Sequence, residues 1–417
     1  MSSINAFEII SQLPLEMSYK ITDHFEMKSI LSYRSISKLW KEYFTNYYLN
    51  VAGPKEYTFI RASDPLINTD FFRAYVHDLH IKKNITNLDF VQNEFFNPER
   101  HLNIKISTFY TVWNNSLVVE AMLLGKRFYL LIDDDENTSL INYHSYSPIT
   151  CMTTLDSKLY AGTTDGEIVI LDCMAEPSVI FNGDTRLKKS NMTYAPGKIA
   201  ILKAFQDKLL MVIHPTYSDE YTPSRISLLS SDGTVTRSKN MHIDLVETCK
   251  DMILITQCTD IKFLDQKLKL KATSGICKII IRSITVLDDT IAALTDFNCM
   301  KYGKYQDIME NPQSIKNLKS ISFMSSEIKV LNKRFMGFGS KNNQFSDIKS
   351  PSQPFIGSGI LKKLIKTEIF TIDTNNICID KTKSWDSTHT VQSTICVKED
   401  KVYIFGPDEI IRLRFDQ

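Results

Sequence analysis

Residues Ile149–Asp172 read ITCMTTLDSKLYAGTTDGEIVILD. Three short runs rich in β-branched and aromatic residues are visible: Ile149–Thr153, Leu159–Gly162 and Ile168–Leu171. Asp156-Ser157 separates the first two, and Thr164-Asp165-Gly166 separates the last two. An Asp-Gly pair between two apolar runs predicts a tight hairpin, because glycine supplies the positive φ that such a turn needs. The stretch therefore predicts an antiparallel meander of at least three strands.

Outward from this stretch, the unit recurs. Lys198–Ile213 is followed by Arg225–Leu229 and a Ser231-Asp232-Gly233 turn. His242–Leu264 contains Asp251 before MILIT, and Ile279–Tyr302 contains Asp288-Asp289 before TIAALT. A further unit starts near Ile321 and includes Ile328–Leu331. The last, Val391–Phe415, carries KVYIFGPDEIIRLRF with a turn at Pro407-Asp408. Successive units lie roughly 40–45 residues apart, the period of a four-stranded propeller blade. Residues 104–417 have room for about seven blades. Ser340–Pro354, rich in Ser, Asn, Gln and Lys, predicts a surface loop inserted in one of them. The layout resembles that of WD-repeat propellers, although no unit ends in Trp-Asp. Leu171-Asp172 stands in that place, and Asp165 is expected to brace its turn by side-chain hydrogen bonds.

Residues 5–50 have another character. Apolar residues fall at helical spacing: Ile9, Ile10 and Leu13; Met17, Ile21 and Phe25; Ile30, Leu31 and Ile36; then Leu39, Trp40 and Phe44. Pro14 suits a first helical turn, and Ser37–Leu49 predicts an amphipathic helix with Trp40, Phe44 and Tyr47 on one stripe. Ala52-Gly53-Pro54 then interrupts the pattern. Residues 51–103 read as an irregular connection. In it, Tyr57–Ile60 could supply a strand that closes the propeller, Phe71–Ile81 mixes helix and strand signals, and Asn84–Pro98 reads as loop with aromatics. The expected fold is mainly β with an all-α N-terminal module: helices over 5–50, a connection over 51–103 and a roughly seven-bladed propeller over 104–417.

The string QLPLEMSYKITDHFEMKSILSYRSISKLWKEYF, Gln12–Phe44, resembles the F-box family. The matching features are Leu13-Pro14-Leu15-Glu16-Met17, Ile21, Ile30-Leu31, Arg34 and the closing Ile36-Ser37-Lys38-Leu39-Trp40. The aliphatic content between Ser18 and Phe25 departs from the family pattern, since Thr22, Asp23 and His24 intervene. The resemblance implies a three-helix module that binds a Skp-type adaptor, and through it a cullin/RING ligase. Adaptor contacts would come from Leu13, Pro14, Leu15, Ile21, Ile30, Leu31, Ile36 and Trp40, with Trp40 weighted toward packing inside the module. Physical size agrees, since a helical piece of this length cannot bury enough apolar surface alone. Each anchor fully buried by a partner would contribute about 1.5–3 kcal/mol. F-box followed by propeller is a receptor layout in which the propeller holds a protein substrate. Arg186, Arg225, Arg237, Arg282 and Arg334 are the candidates for reading a phosphorylated target by bidentate hydrogen bonds. The rival reading is a propeller scaffold with a helical cap and no link to ubiquitin.

Composition narrows the remaining classes. The 417 residues are 43% hydrophobic and 23% charged, with 49 basic and 48 acidic side chains and a net charge of +1. That balance gives no reason to invoke nucleic acid or an anionic membrane as the main partner. The eight cysteines form no C-x-x-C pair and read as buried thiols of a reducing compartment. Glu8, Glu16 and Lys20 interrupt any signal-like apolar run, and no stretch is long and uncharged enough for a membrane span. The expected location is cytoplasmic or nuclear. His77-x-x-His80 lacks a third ligand. Asp133-Asp134-Asp135-Glu136 lacks the glycine and distal Glu of a calcium loop and reads as an acidic hairpin turn. No phosphate-binding loop or nucleophile elbow is present, so neither a cofactor nor a catalytic site is expected.

Overall fold

The alternating run at 149–172 folds as its pattern requires. The computed structural model describes residues 13–25, 37–47, 51, 71–96, 105–143, 147–173, 175–188, 194–216, 222–275, 280–295, 300–311, 316–318, 324–331, 334–341, 365–373, 378–387, 394–398, 401–405 and 410–415. Within it, Ile149–Leu155, Lys158–Thr163, Glu167–Leu171 and Ser178–Asn182 form one antiparallel four-stranded sheet. Five more sheets repeat this meander of four consecutive strands. Their first strands are Lys105–Trp113, Gly197–Phe205, Leu245–Cys249, Ile281–Leu287 and Met324–Leu331. The six are the blades of a β-propeller, with neighbouring first strands packed side by side around a centre.

A further sheet closes the ring. It joins Thr394–Lys398, Lys401–Phe405 and Ile410–Arg414 to Val91–Phe96, which runs antiparallel to Ile410–Arg414 from the pair Val91↔Arg414. Its inner strand, Thr394–Lys398, packs against both Lys105–Trp113 and Met324–Leu331. The expectation of about seven successive blades within 104–417 is thereby corrected. Six are successive, and the remaining sheet takes its outer strand from residues that the sequence had marked as loop. Tyr57–Ile60, the strand proposed for closure, lies outside the described residues.

Second strands of the blades are buried on both faces, because each sheet is covered by a neighbour on either side. Lys158–Thr163, Met252–Gln257 and Thr290–Thr295 are therefore near-continuous apolar runs, with five buried residues each. The turns repeat as well. Hairpins between first and second strands hold two residues, and Asn114-Asn115 and Asp156-Ser157 have positive φ at both positions, as a type I′ turn requires. Between third and fourth strands, Asp133–Asn137, Ser230–Thr234 and Asp265–Lys269 share one pattern. The first N–H donates to the fifth carbonyl, and the fourth N–H donates to the first carbonyl. The fourth residue is left-handed: Glu136 at φ 67°, Gly233 at 86° and Leu268 at 58°. Asp133 and Asp265 brace their turns by accepting two backbone N–H bonds each.

These turns reach back onto the preceding sheet. Lys239 Nζ donates to the Leu268 carbonyl at 3.3 Å. Asp134 accepts from Lys401 Nζ and from the Tyr403 hydroxyl, both at 2.9 Å, while Arg412 donates to the Asp134 carbonyl. Arg412 also lies over the ring of Phe95, which is fully buried. The acidic run 133–136 is thus a hairpin turn, and one of its carboxylates ties the first blade to the closing sheet.

The sequence reading changes elsewhere too. Phe71–Asn87 is one 17-residue helix, so Asn84–Asn87 are helical rather than loop. Its buried residues Ile81 and Ile85, with Leu88 just beyond, lie at helical spacing. Asn84 Nδ2 donates to the Phe415 carbonyl at 2.9 Å, and Phe90 meets Phe415 edge to face. The connection is therefore docked on the final strand. Ser340 lies within the strand Arg334–Lys341 instead of starting a loop, and 342–364 lie outside the described residues. The turn at Asp165-Gly166 is held by hydroxyls, with Glu167 N–H donating to Thr163 Oγ1 and Asp165 N–H to Ser147 Oγ; Asp165 contributes its backbone. Of the four cysteines whose burial is described, Cys249 is buried and Cys151 and Cys173 are half-buried, but Cys258 is exposed at a turn, against the expectation of uniformly buried thiols.

Candidate functional site: the helical pair and the propeller rim

Leu15–Thr22 and Lys38–Tyr47 form a helical pair. Pro14 opens the first helix, and its carbonyl accepts from Met17 and Ser18 N–H. Ser37 caps the second by accepting Trp40 N–H at 3.2 Å, satisfying one of the donors that a helix start leaves open. The helices are joined through tyrosines. Tyr43 shares a 2.8 Å hydrogen bond with Thr22, and the Tyr47 hydroxyl donates to Asp23 at 2.6 Å. Tyr19 packs its ring against both Tyr43 and Tyr47. Burial and the Asp23 carboxylate push the Tyr47 phenol well above its usual range, so it stays a donor. Thr22 and Asp23, which looked like a thinning of the apolar pattern, are the polar partners that this joint requires.

The pair has one sealed side and one open side. Trp40, Phe44 and Tyr47 are buried, with Trp40 stacked on Phe44 at 5.0 Å. Trp40 is accordingly a packing residue, which removes it from the set of outward contacts. Pro14, Met17 and Ile21 lie three and four residues apart, on one stripe, and are all exposed; Leu39 on the second helix is exposed as well. Leu13 is half-buried. The side chain of Leu15 and residues Ile30, Leu31 and Ile36 lie outside the described residues. Met17 and Leu39 were not among the sequence-derived contacts, although Met17 sits in the same stripe as Pro14 and Ile21.

The five arginines separate by topology. Strands alternate in direction, so connections between blades and connections from second to third strands open on one rim of the propeller. Arg186, in the connection after Ser178–Asn182, and Arg225, at the start of Ser224–Leu229, meet there. Arg225 donates Nη1 to the Arg186 carbonyl and Nη2 to the Asp184 carbonyl. Arg282, near the start of an inner strand, opens on the same rim and is exposed. Arg237 is exposed on an outer strand, and Arg334 begins a second strand on the opposite rim. The structure thus joins two of the five and disperses the rest. Arg225 caps two carbonyls of this connection.

His80 is exposed, with Nε2 3.1 Å from Asn84 Nδ2. Among the described residues no group of three or more His, Cys, Asp or Glu side chains is placed to hold a metal ion. No helix among them is long and apolar enough to cross a membrane.

The architecture defines a β-propeller with helices at its N-terminal end. No protein-family model matches the chain, and no curated protein matches it. Among solved structures, a chain of the crystal structure of the mitotic checkpoint complex aligns at a TM-score of 0.48 and 9% identity, covering 78% of this chain and 91% of that one. The computationally designed Ika8 protein aligns at 0.47 and 10% identity, covering 74% and 96%. At these values the comparisons add no functional argument, and the propeller rests on the sheets themselves.

Proposed function

We propose that this protein is a substrate-recognition subunit of a Skp–cullin–F-box ubiquitin ligase, without a catalytic site of its own. The helical pair docks on the Skp-type adaptor, and the propeller holds the protein to be ubiquitinated. Its contribution to the reaction is proximity, bringing a bound target near a ubiquitin-loaded enzyme carried by other subunits.

One observation carries the reading. Pro14, Met17 and Ile21 present an apolar stripe to solvent on a helix whose other side is already joined to Lys38–Tyr47. An apolar stripe left open on a short helix calls for a partner, and it lies in the segment that resembles the F-box. The propeller adds a rigid platform whose loops can be varied without disturbing the sheets. The test is co-purification of the full chain with a Skp-type adaptor. Met17→Glu with Ile21→Glu places charge on exposed positions and should abolish adaptor binding while the chain stays folded. Adaptor binding that survives this double change, or wild-type protein that binds no adaptor, would remove the ligase reading.

A further inference from the structure

Among its described residues, the open side of the helical pair presents one side chain that peroxide oxidises. Pro14, Ile21 and Leu39 carry hydrocarbon side chains, whereas Met17, between Pro14 and Ile21 on the same stripe, carries a thioether. No cysteine precedes Cys151 in the sequence, so no thiol competes there. Exposure decides which methionines an oxidant reaches, because the oxygen donor must meet the sulfur. Met17 is 53% exposed, and Met122, on the strand Ser116–Leu123 of the first blade, is 37% exposed. Met152, Met211 and Met252 are buried in the sheets.

The chemistry is a two-electron oxygen transfer. A thioether lone pair attacks one oxygen of hydrogen peroxide, the O–O bond breaks, and the other oxygen leaves as water after proton transfer. The sulfur is oxidised to a sulfoxide and the peroxide is reduced. Methionine sulfoxide reductases reverse the change: two thiols become a disulfide, and the sulfoxide oxygen departs as water. A flexible apolar side chain thus gains and loses a strong hydrogen-bond acceptor. In water that acceptor is solvated, so the free chain carries it readily. Against an apolar surface it must give up its water, which opposes docking. The fold of the pair does not depend on this side chain. Thr22 and Asp23 bind Tyr43 and Tyr47 on the other side, where Trp40 and Phe44 are also buried. Oxidation of Met17 therefore changes the surface and leaves the two helices joined.

We propose that Met17 is a reversible oxidation site that controls adaptor docking: the thioether form docks, the sulfoxide form does not, and sulfoxide reductases restore docking. The proposal rests on the reading of the helical pair as the adaptor-docking module. Docking covers Met17, so peroxide acts on the unassembled chain and blocks assembly instead of dismantling a finished complex.

The test treats the full chain with hydrogen peroxide, removes the oxidant with catalase, and titrates in a Skp-type adaptor that never met it. Peptide mass spectrometry reads the sulfoxide at Met17 and Met122, and circular dichroism reads the fold. Affinity should fall about tenfold or more, the factor that burying one apolar side chain supports. The fall should track the sulfoxide fraction at Met17, with the fold unchanged. The two sulfoxide reductases, one for each epimer, should restore binding in dithiothreitol, and dithiothreitol alone should not, which sets thiol oxidation aside. Met17→Leu, whatever affinity it starts from, should lose none of it on peroxide treatment, while Met122→Leu should respond as wild type does. Met1 and Met27 lie outside the described residues, and the Met17→Leu arm controls for them. In the preformed complex, Met17 should oxidise several-fold more slowly than in the free chain. Binding that is unchanged after full conversion of Met17 overturns the proposal. So does an equal loss in Met17→Leu, or oxidation of Met17 at the same rate in the complex. Untreated wild-type protein that binds no adaptor is a distinct result, which removes the docking reading and this proposal with it.

Discussion

Gly233→Ala, set against Glu136→Gly, measures how tightly neighbouring blades fit. Both residues occupy the left-handed fourth position of the same five-residue turn. An L-residue there costs about 1–2 kcal/mol relative to glycine, and replacing glycine recovers about 0.4–1 kcal/mol by restricting the unfolded chain. On conformation alone, Gly233→Ala would cost at most about 1.5 kcal/mol, and Glu136→Gly would be neutral or mildly stabilising. The surroundings of Gly233 add a second penalty. A Cβ built there falls 1.9 Å from the Ile180 carbonyl oxygen and 2.7 Å from its carbon, on the outer strand of the preceding blade. Those atoms are backbone and cannot rotate away, so turn and strand must separate by more than 1 Å, at a cost of roughly 1–3 kcal/mol for overpacking. The total for Gly233→Ala is about 2–4 kcal/mol. Thermal unfolding of the full chain followed by circular dichroism should show a midpoint about 2–5 °C lower, with Glu136→Gly unchanged or higher. If Gly233→Ala shifts the midpoint no more than Glu136→Gly, the inter-blade contact is not as close as stated and the reasoning fails.

Two further outcomes follow from the same contacts. Asp134→Ala deprives Lys401, which is only 15% exposed, and the Tyr403 hydroxyl of their acceptor. Because Asp134 is itself partly solvated, the loss should be about 2 kcal/mol in chemical denaturation, and an unchanged midpoint would show that the ring closes without this tie. For the thiols, burial pushes Cys151 and Cys249 up to about 11, so the reactive thiolate is scarce at pH 8 and grows as pH rises toward that value. Iodoacetamide at pH 8 should label exposed Cys258 well before either, as read by peptide mass spectrometry; equal labelling would contradict the burial.

The helical pair and the rim were legible to different degrees. Pro14, Ile21 and the Trp40–Phe44–Tyr47 stripe follow from spacing along a single helix, which the sequence displays. Which side of the pair is open does not, since that depends on Thr22 and Asp23 finding Tyr43 and Tyr47 on another element. Arg186 was one of five candidate arginines, but nothing around it in the sequence indicates that Arg225 would brace it or that Tyr194 would lie beneath its guanidinium. Their positions are some thirty-nine and eight residues away in sequence.

Alternation, Asp-Gly and Asp-Asp turns and the recurring unit sufficed to determine antiparallel meanders stacked as a propeller, because strand and turn preferences act over a few neighbouring residues. Only the tertiary structure decided how the ring closes. Val91–Phe96, reading VQNEFF, has no strand pattern of its own. It becomes a strand because Ile410–Arg414 offers an edge of unpaired backbone groups and Tyr403 and Arg412 cover Phe95. Such a pairing is fixed by hydrogen bonds to a distant segment, and no local preference can announce it.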